Sequence, residues 1–254
     1  MKNTGVILAA GLGTRLRQQS ENNNIEKPLI KVDGLILLLH AIYSLEIADC
    51  KKIIVVLGFE AEKIRNFIIN HYSGQSVLNF VINEKYEKQN GLSVLCAWPR
   101  ISGTFLLTMA DHILDDQIMH SAKKIVPPED GAVLCVDYKL ETIFDMDDAT
   151  KVFEENNSIK SIGKHLKHYN CIDTGVFICT DGLMKAIDHV YKEKGDASLS
   201  EGVQLLADQG LMKVMDIKNA FWQDVDDIHM LAHAEKLLKK RDIVKHGNKR
   251  NELL

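Results

Sequence analysis

The 254-residue sequence predicts an α/β fold, with a mainly parallel central sheet, helices on both faces and a small β-hairpin extension. Three observations predict it. Between Val6 and Met109, short continuously apolar runs alternate with stretches of helical periodicity, the pattern of a sheet buried on both sides. The first apolar run ends in Ala9-Ala10-Gly11-Leu12-Gly13-Thr14-Arg15, a strand opening into a loop of small residues. Further on, residues 150–154 and 159–162 flank the turn residues Asn156-Asn157-Ser158, as the arms of a hairpin do.

The elements follow in order. Residues 4–9 form the first strand, and Gly11 and Gly13 allow backbone angles in which successive N–H groups converge on an anion. Arg15 and Lys27, the latter in Lys27-Pro28-Leu29, bring positive charge to the same end of that strand. A structural strand-to-helix turn is the alternative. The loop lacks the third glycine of a dinucleotide fingerprint and the Gly-Lys-Ser/Thr ending of a Walker A loop. The polar segment 20–24 is expected to be a surface flap. Strands are expected at 52–57, 77–82 and 104–109, with helices at 35–48, 61–72 and 91–98, the last ending before Pro99, and right-handed crossovers between parallel strands. Beyond them come a helix at 115–124, a strand at 132–136, the hairpin standing over the main sheet, a strand at 172–179 interrupted by Gly175, and a helix at 182–191. A helix at 199–207 is capped by Ser198 with Glu201 three residues on; a strand at 212–217 and a helix at 228–240 complete the series. Residues 1–240 thus make a single domain, and 241–254 a tail that is either a frayed end or an oligomer contact.

With 46% hydrophobic residues there is ample material for one core, and a net charge of -4 without a dominant basic block argues against a nucleic-acid groove. Five cysteines without Cys-x-x-Cys spacing suit a reducing compartment. No run approaches the length of about 18 apolar residues that a membrane span needs, and no leader is evident, so the expectation is a cytoplasmic protein without membrane insertion.

Asp111 follows the apolar run 105–109 and so sits at the carboxyl edge of the predicted sheet, where ligands of open α/β folds bind; a helix cap or turn acid is the alternative. Asp224 and Asp226 alternate on an extended segment and point the same way. Asp111 with Asp226, or with Asp224 as second choice, is a carboxylate pair suited to Mg2+. With the glycine loop, Arg15 and Lys27, these acids suggest phosphoryl or nucleotidyl transfer. There is no Gly-x-Ser-x-Gly elbow or His-Glu-x-x-His pair. Lys164 either holds a second phosphate or faces solvent, and Lys151 either faces the cavity beside it or covers the hairpin. Asp173-Thr174-Gly175 interrupts an apolar strand, which a ligand wall explains, whereas a bulge explains only the glycine.

Residues 8–15, Lys27-Pro28-Leu29, Met109-Ala110-Asp111-His112, residues 173–177 and Trp222-Gln223-Asp224-Val225-Asp226 together resemble a sugar-phosphate-type nucleotidyltransferase of the MobA-like NTP transferase superfamily. Residues 85–93, the Met-Ala-Asp-His sequence and Gly163-Lys164 are most similar to the CTP:inositol-1-phosphate cytidylyltransferase domain, with phosphocholine and 2-aminoethylphosphonate cytidylyltransferases next. The resemblance implies a Rossmann-like nucleotidyltransferase fold, with a nucleotide-binding part at about 1–125 and an acceptor-binding part at about 126–226. It implies a Mg2+-dependent transfer of CMP from CTP to a phosphorylated alcohol, myo-inositol 1-phosphate first, with release of pyrophosphate.

By that resemblance Arg15, Lys27, Asp111 and Asp226 are catalytic, and Asp111 and Asp226 ligate the metal. Leu8, Ala9, Ala10, Gly11, Gly13, Thr14, Arg15, Lys27, Asn90, Gly91, Ser93 and Asp111 surround the nucleotide, and Lys151, Lys164, Asp173, Thr174 and Gly175 the acceptor. Inositol enzymes of this kind often carry a membrane-spanning phosphotransferase domain after the module; its absence here leaves room for a separately encoded partner or for another acceptor. A homodimer is compatible with the sequence. The rival enzyme is an NDP-sugar pyrophosphorylase using a sugar 1-phosphate with UTP or dTTP. The rivals outside catalysis are a nucleotide-sensing module and a partner-binding protein.

Overall fold

A computed structural model describes residues 4–19 and 26–251, with side chains through residue 239; the predicted flap at 20–24 falls outside the described residues. In chain order the first half contains β1 (Thr4–Ala9), α1 (Thr14–Gln19), β2 (Lys31–Val32), β3 (Leu35–Ile36), α2 (Leu37–Ile47), β4 (Lys52–Leu57), α3 (Ala61–His71), β5 (Val77–Ile82), α4 (Gly91–Ala97), β6 (Phe105–Met109), β7 (His112–Leu114) and α5 (Asp116–Ala122). The second half contains β8 (Ala132–Asp137), β9 (Lys151–Glu155), β10 (Ser158–Gly163), β11 (Cys171–Cys179), α6 (Asp181–Lys194), α7 (Leu199–Asp208), β12 (Met212–Asp216), β13 (Trp222–Asp224) and α8 (Ile228–Asn251).

The sheet is not the mainly parallel, Rossmann-like one that the sequence predicts. Nine strands run in the order β5-β4-β1-β6-β11-β8-β12-β10-β9, and β9 pairs back onto β11. The four strands β5, β4, β1 and β6 are parallel, as expected. Beyond them β11 runs antiparallel to β6, to β8 and to β9, and only the β8–β12 pair is parallel. The strands β11, β8, β12, β10 and β9 therefore close into a five-stranded, mostly antiparallel barrel. The predicted hairpin is part of that ring rather than an extension standing over the sheet. Apolar periodicity tells which residues are buried, but strand direction and partner are settled by contacts distant in sequence.

The bend that permits closure lies in β11. Its register against β8 shifts between Asp173 and Phe177, and Gly175 within the shift has φ +73°, a conformation that favours glycine. Before the bulge Cys171 and Ile172 pair with β9; after it Phe177, Ile178 and Cys179 pair with β6. The two neighbours thus diverge around Asp173, Thr174 and Gly175.

Alternate residues of the strands feed opposite faces. Val6, Leu8, Ile54, Phe105 and Leu107 pack with α4, α6 and α7, whereas Ile7, Ile53, Val55 and Leu106 pack with α2, α3 and α5. Burial of such apolar side chains contributes about 1.5–3 kcal/mol apiece. The capping box predicted at Ser198 and Glu201 is present. A small third cluster joins Leu16 of α1 to Ile113, Val225 and Ala234. Among the described residues no helix is long and apolar enough to cross a membrane.

Candidate active site

The carboxyl end of β1 turns through Gly11 and Gly13 into α1. Gly13 has φ +60°, and a Cβ there would lie 2.7 Å from the Cβ of Lys27, so glycine both makes the turn and lets Lys27 lie against it. Leu16, buried against Ile113 and Val225, fixes α1 so that Arg15 sits beside the segment that follows β13.

That segment is placed by a short antiparallel pairing. Asp224 of β13 lies opposite His112 of β7, and the next hydrogen bond runs from Val225 N–H to the Asp111 carbonyl at 2.9 Å. The register sets Asp226 near Asp111. Asp227, one residue on, accepts from the N–H groups of His229 and Met230 at 2.8 Å each and caps α8, so the two neighbouring acids divide capping and site roles.

Lys27 lies between the two acids. Its ammonium donates to Asp111 Oδ2 at 2.5 Å and to Asp226 Oδ1. Arg15 Nη2 donates to Asp226 Oδ2 at 2.5 Å and to Asp148 Oδ2 at 2.7 Å, and Lys164 Nζ donates to Asp148 Oδ1 at 2.5 Å. The result is an unbroken ladder of alternating charge: Asp111, Lys27, Asp226, Arg15, Asp148, Lys164. Burial works against the Lys27 charge, but Asp111 and Asp226 outweigh it and push the ammonium up to about 12. Burial likewise opposes the Asp148 charge, yet the hydrogen bonds from Lys164 and Arg15 hold this carboxyl below its usual range.

His112 Nδ1 meets Asp111 Oδ1 at 2.7 Å, and the imidazole stacks on the Trp222 ring with centroids 5.8 Å apart. Trp222 Nε1 donates to Asp137 Oδ2 at 3.0 Å. A Cβ on Gly175 would lie 2.7 Å from His112 Nε2, so the bulge in β11 also makes room for the imidazole. Asp173 Oδ1 accepts from Gly175 N–H at 2.7 Å, and burial, only partly offset by that bond, pushes its carboxyl up to about 6.

Of these groups Asp111, His112, Asp148, Lys164, Asp173, Trp222 and Asp226 line a cavity of about 310 Å³. Leu8, Ala10, Gly11, Asn90, Ser93 and Asp111 of the predicted nucleotide set line it, as do Lys164, Asp173 and Gly175 of the predicted acceptor set and the predicted metal ligands Asp224 and Asp226. Ala9, Gly13 and Lys27 line an adjoining hollow of about 70 Å³. Thr14 and Arg15 begin α1. Gly91 begins α4 and is packed so closely that a Cβ would lie 2.5 Å from the Ala197 carbonyl. Two predicted acceptor residues are not brought to the cavity wall. The Thr174 hydroxyl donates to the Cys135 carbonyl at 2.8 Å, and buried Lys151 donates to the Asp147 carbonyl at 3.0 Å. Asn90 and Ser93 are held by other groups: Asn90 Oδ1 accepts from Leu199 N–H at 2.9 Å, and Ser93 Oγ accepts from Asn83 Nδ2 at 3.0 Å.

The model of the MobA-like NTP transferase domain matches residues 5–218. The chain belongs to this family. Bifunctional IPC transferase and DIPP synthase proteins of Aquifex aeolicus and Thermococcus kodakarensis are 33% and 32% identical to it, each over 96% of the chain and over 53% and 52% of their own lengths. The chain therefore spans about half the length of these curated relatives. The solved inositol-1-phosphate CTP transferase from T. maritima superposes with a TM-score of 0.82 at 27% identity, covering 94% of this chain and 96% of that one.

Asp148, His112 and Trp222 of this NTP transferase were not among the predicted site residues. His112 and Trp222 lie inside motifs that point to the family, beside the carboxylates Asp111 and Asp226 whose chemistry is the stronger signal. Asp148 had no comparable signal, because the acidic stretch Asp145-Met146-Asp147-Asp148 has the composition of a solvated turn. Its partner Arg15 is 133 residues away.

Proposed function

We propose that this protein is a Mg2+-dependent cytidylyltransferase that transfers CMP from CTP to a phosphorylated alcohol, with myo-inositol 1-phosphate as the leading acceptor. The observation that carries the reading is the charge ladder, which links two cations, Lys27 and Arg15, and the carboxylate pair Asp111 and Asp226 through Asp148 to Lys164. The relatives, an inositol-1-phosphate CTP transferase and bifunctional IPC transferase and DIPP synthase proteins, suggest the nucleotide and the acceptor.

In this reading an oxygen of the acceptor phosphate forms the new bond to the α-phosphorus of CTP while the bond to the β-phosphate oxygen breaks, and pyrophosphate leaves. The glycine loop holds the triphosphate, Arg15 stands between the triphosphate and the acceptor phosphate and serves both, Lys27 neutralises charge gathering at the α-phosphate, and Lys164 orients the acceptor phosphate. Asp111 and Asp226 fit Mg2+ as its protein ligands: the ion takes one or two carboxylates and completes its shell with phosphate and water, and here two carboxylates already share one cation, the Lys27 ammonium. Among the described residues no group of three or more His, Cys, Asp or Glu forms a closed metal cage. Bound Mg2+ would supply charge neutralisation on the triphosphate. The CMP-activated alcohol would then serve a phosphotransferase acting downstream.

The test is Mg2+-dependent pyrophosphate release, with four NTPs each paired with myo-inositol 1-phosphate, glucose 1-phosphate, phosphocholine and 2-aminoethylphosphonate. Dominant turnover of CTP with inositol phosphate is expected. Dominant UTP or dTTP turnover with glucose 1-phosphate would replace this reading by the sugar-nucleotide one, and CTP binding without any product would leave a nucleotide sensor.

A further inference from the structure

Asp148 differs from the other two acids of the ladder. Asp111 and Asp226 follow β6 and β13 and are tied to each other through Lys27, whereas Asp148 comes from the 138–150 connection between β8 and β9. Its two carboxylate oxygens face two different cations, Lys164 at 2.5 Å and Arg15 at 2.7 Å. The pairs are partly open to solvent: the side chains of Arg15, Asp148 and Lys164 are 45%, 26% and 50% exposed. Asp148 also lines the cavity, beside Ala149 and Thr150.

We propose that the Asp148 carboxylate is an internal surrogate for the phosphoryl group of the acceptor. It occupies Arg15 and Lys164 in the ligand-free protein and is displaced when a phosphate monoester enters. That the entering anion is the acceptor rests on the cytidylyltransferase reading; the surrogate role itself rests on the geometry. Two oxygens spanning an arginine and a lysine reproduce how a phosphoryl group takes the same pair. The carboxylate and the phosphate repel at this range, so they do not share both cations. A monoester near neutral pH carries about -1.5 to -2 charge against -1 for the carboxylate, which lets it take over the two cations. A neutral alcohol cannot, and Asp148 thereby makes the phosphoryl group a condition of entry.

The segment permits this exchange. Apart from the two cations, Asp148 is held locally, with its N–H donating to Asp145 Oδ1 at 3.2 Å. Turning its side chain outward breaks no pairing of the sheet. The exchange also couples the two halves of the site, because Arg15 is shared between Asp148 and Asp226, and removing Asp148 changes what Arg15 is free to hold.

The test is a titration of the full chain with inorganic phosphate by calorimetry, comparing the native protein with Asp148→Asn, Asp148→Ala and Asp148→Glu, each shown to be folded by its thermal transition. Asp148→Asn and Asp148→Ala are expected to bind phosphate roughly three- to tenfold more tightly, the range set by two partly exposed ion pairs, while Asp148→Glu stays near the native value. Phosphate binding that is unchanged or weaker in Asp148→Asn would overturn the proposal and make Asp148 a residue that pre-organises the cations. Because the titration needs no turnover, its outcome is separate from the substrate matrix. Tightening in a protein that releases no pyrophosphate supports the surrogate and refutes the acceptor reading; turnover with no tightening refutes the surrogate alone.

Discussion

Lys27 and Asp226, 199 residues apart in the chain, form a direct ion pair in which the same ammonium also holds Asp111. This contact joins the loop after the first strand to the segment before the last helix, so residues from the two ends of the chain share one electrostatic unit. Replacing Lys27 by Met leaves two acids facing each other with no cation between them. The variant is expected to lose about 1–3 kcal/mol, less than for a fully buried pair because Asp111 and Asp226 keep 28% and 23% exposure. The turnover of whichever substrate pair the matrix identifies should fall about 100-fold or more. The folded-state pKa of Lys27 is raised from 10.5 to about 12, so its stabilisation is present in full below about pH 10.5 and is lost as pH rises through about 12. Urea denaturation between pH 9 and 12 checks this, since Lys27→Met should lack that alkaline decline.

Gly13→Ala tests the turn. The φ of +60° costs an alanine about 1–2 kcal/mol, and its Cβ would push on Lys27. Denaturation should show that loss, while Gly11→Ala, which meets nothing within 4 Å, should stay within about 0.5 kcal/mol of the native protein. Equal losses in the two variants would refute the close-approach argument.

Asp173 gives the acidic counterpart. Its carboxyl is raised to about 6 in the fold, so the native state binds its proton more tightly than the unfolded chain does. The associated stability is therefore present in full below about pH 4, declines as pH rises through about 6, and stays at the lower level above that. Asp173→Asn removes the dependence. Thermal melts should show the variant gaining on the native protein across that window, and parallel curves would contradict the assignment.

Trp222 supports His112 by stacking and Asp137 by a hydrogen bond. Trp222→Phe keeps the ring and should cost about 1 kcal/mol, because Asp137 retains Lys139 at 2.7 Å. Trp222→Ala removes the support of the imidazole that touches Asp111, and should lower turnover well beyond Trp222→Phe in steady-state assays.

Much of the site was legible in the sequence because its parts are local. Gly13, Arg15, Lys27, Asp111 and Asp226 each sit in a short motif whose residue types suit phosphate or a hard cation. Asp148 was not legible, since nothing in an acidic turn says which distant cations it will meet. Lys151 and Thr174 show the converse: the sequence marks them as polar in apolar company, and the fold spends them on the carbonyls of Asp147 and Cys135.

By itself the sequence determined the alternation of strands and helices, the glycine turn after β1, the parallel half of the sheet and the family-level chemistry, because these follow from local conformation, burial pattern and short motifs. Only the tertiary structure decided that β11 runs antiparallel between β6 and β8, that the second half closes into a barrel, and that Asp148 completes the ladder between Arg15 and Lys164. The physical reason is the same in each case. A strand's own residues say that it will be buried, whereas its partner and direction are selected by backbone hydrogen bonds and side-chain contacts with segments far away in the chain.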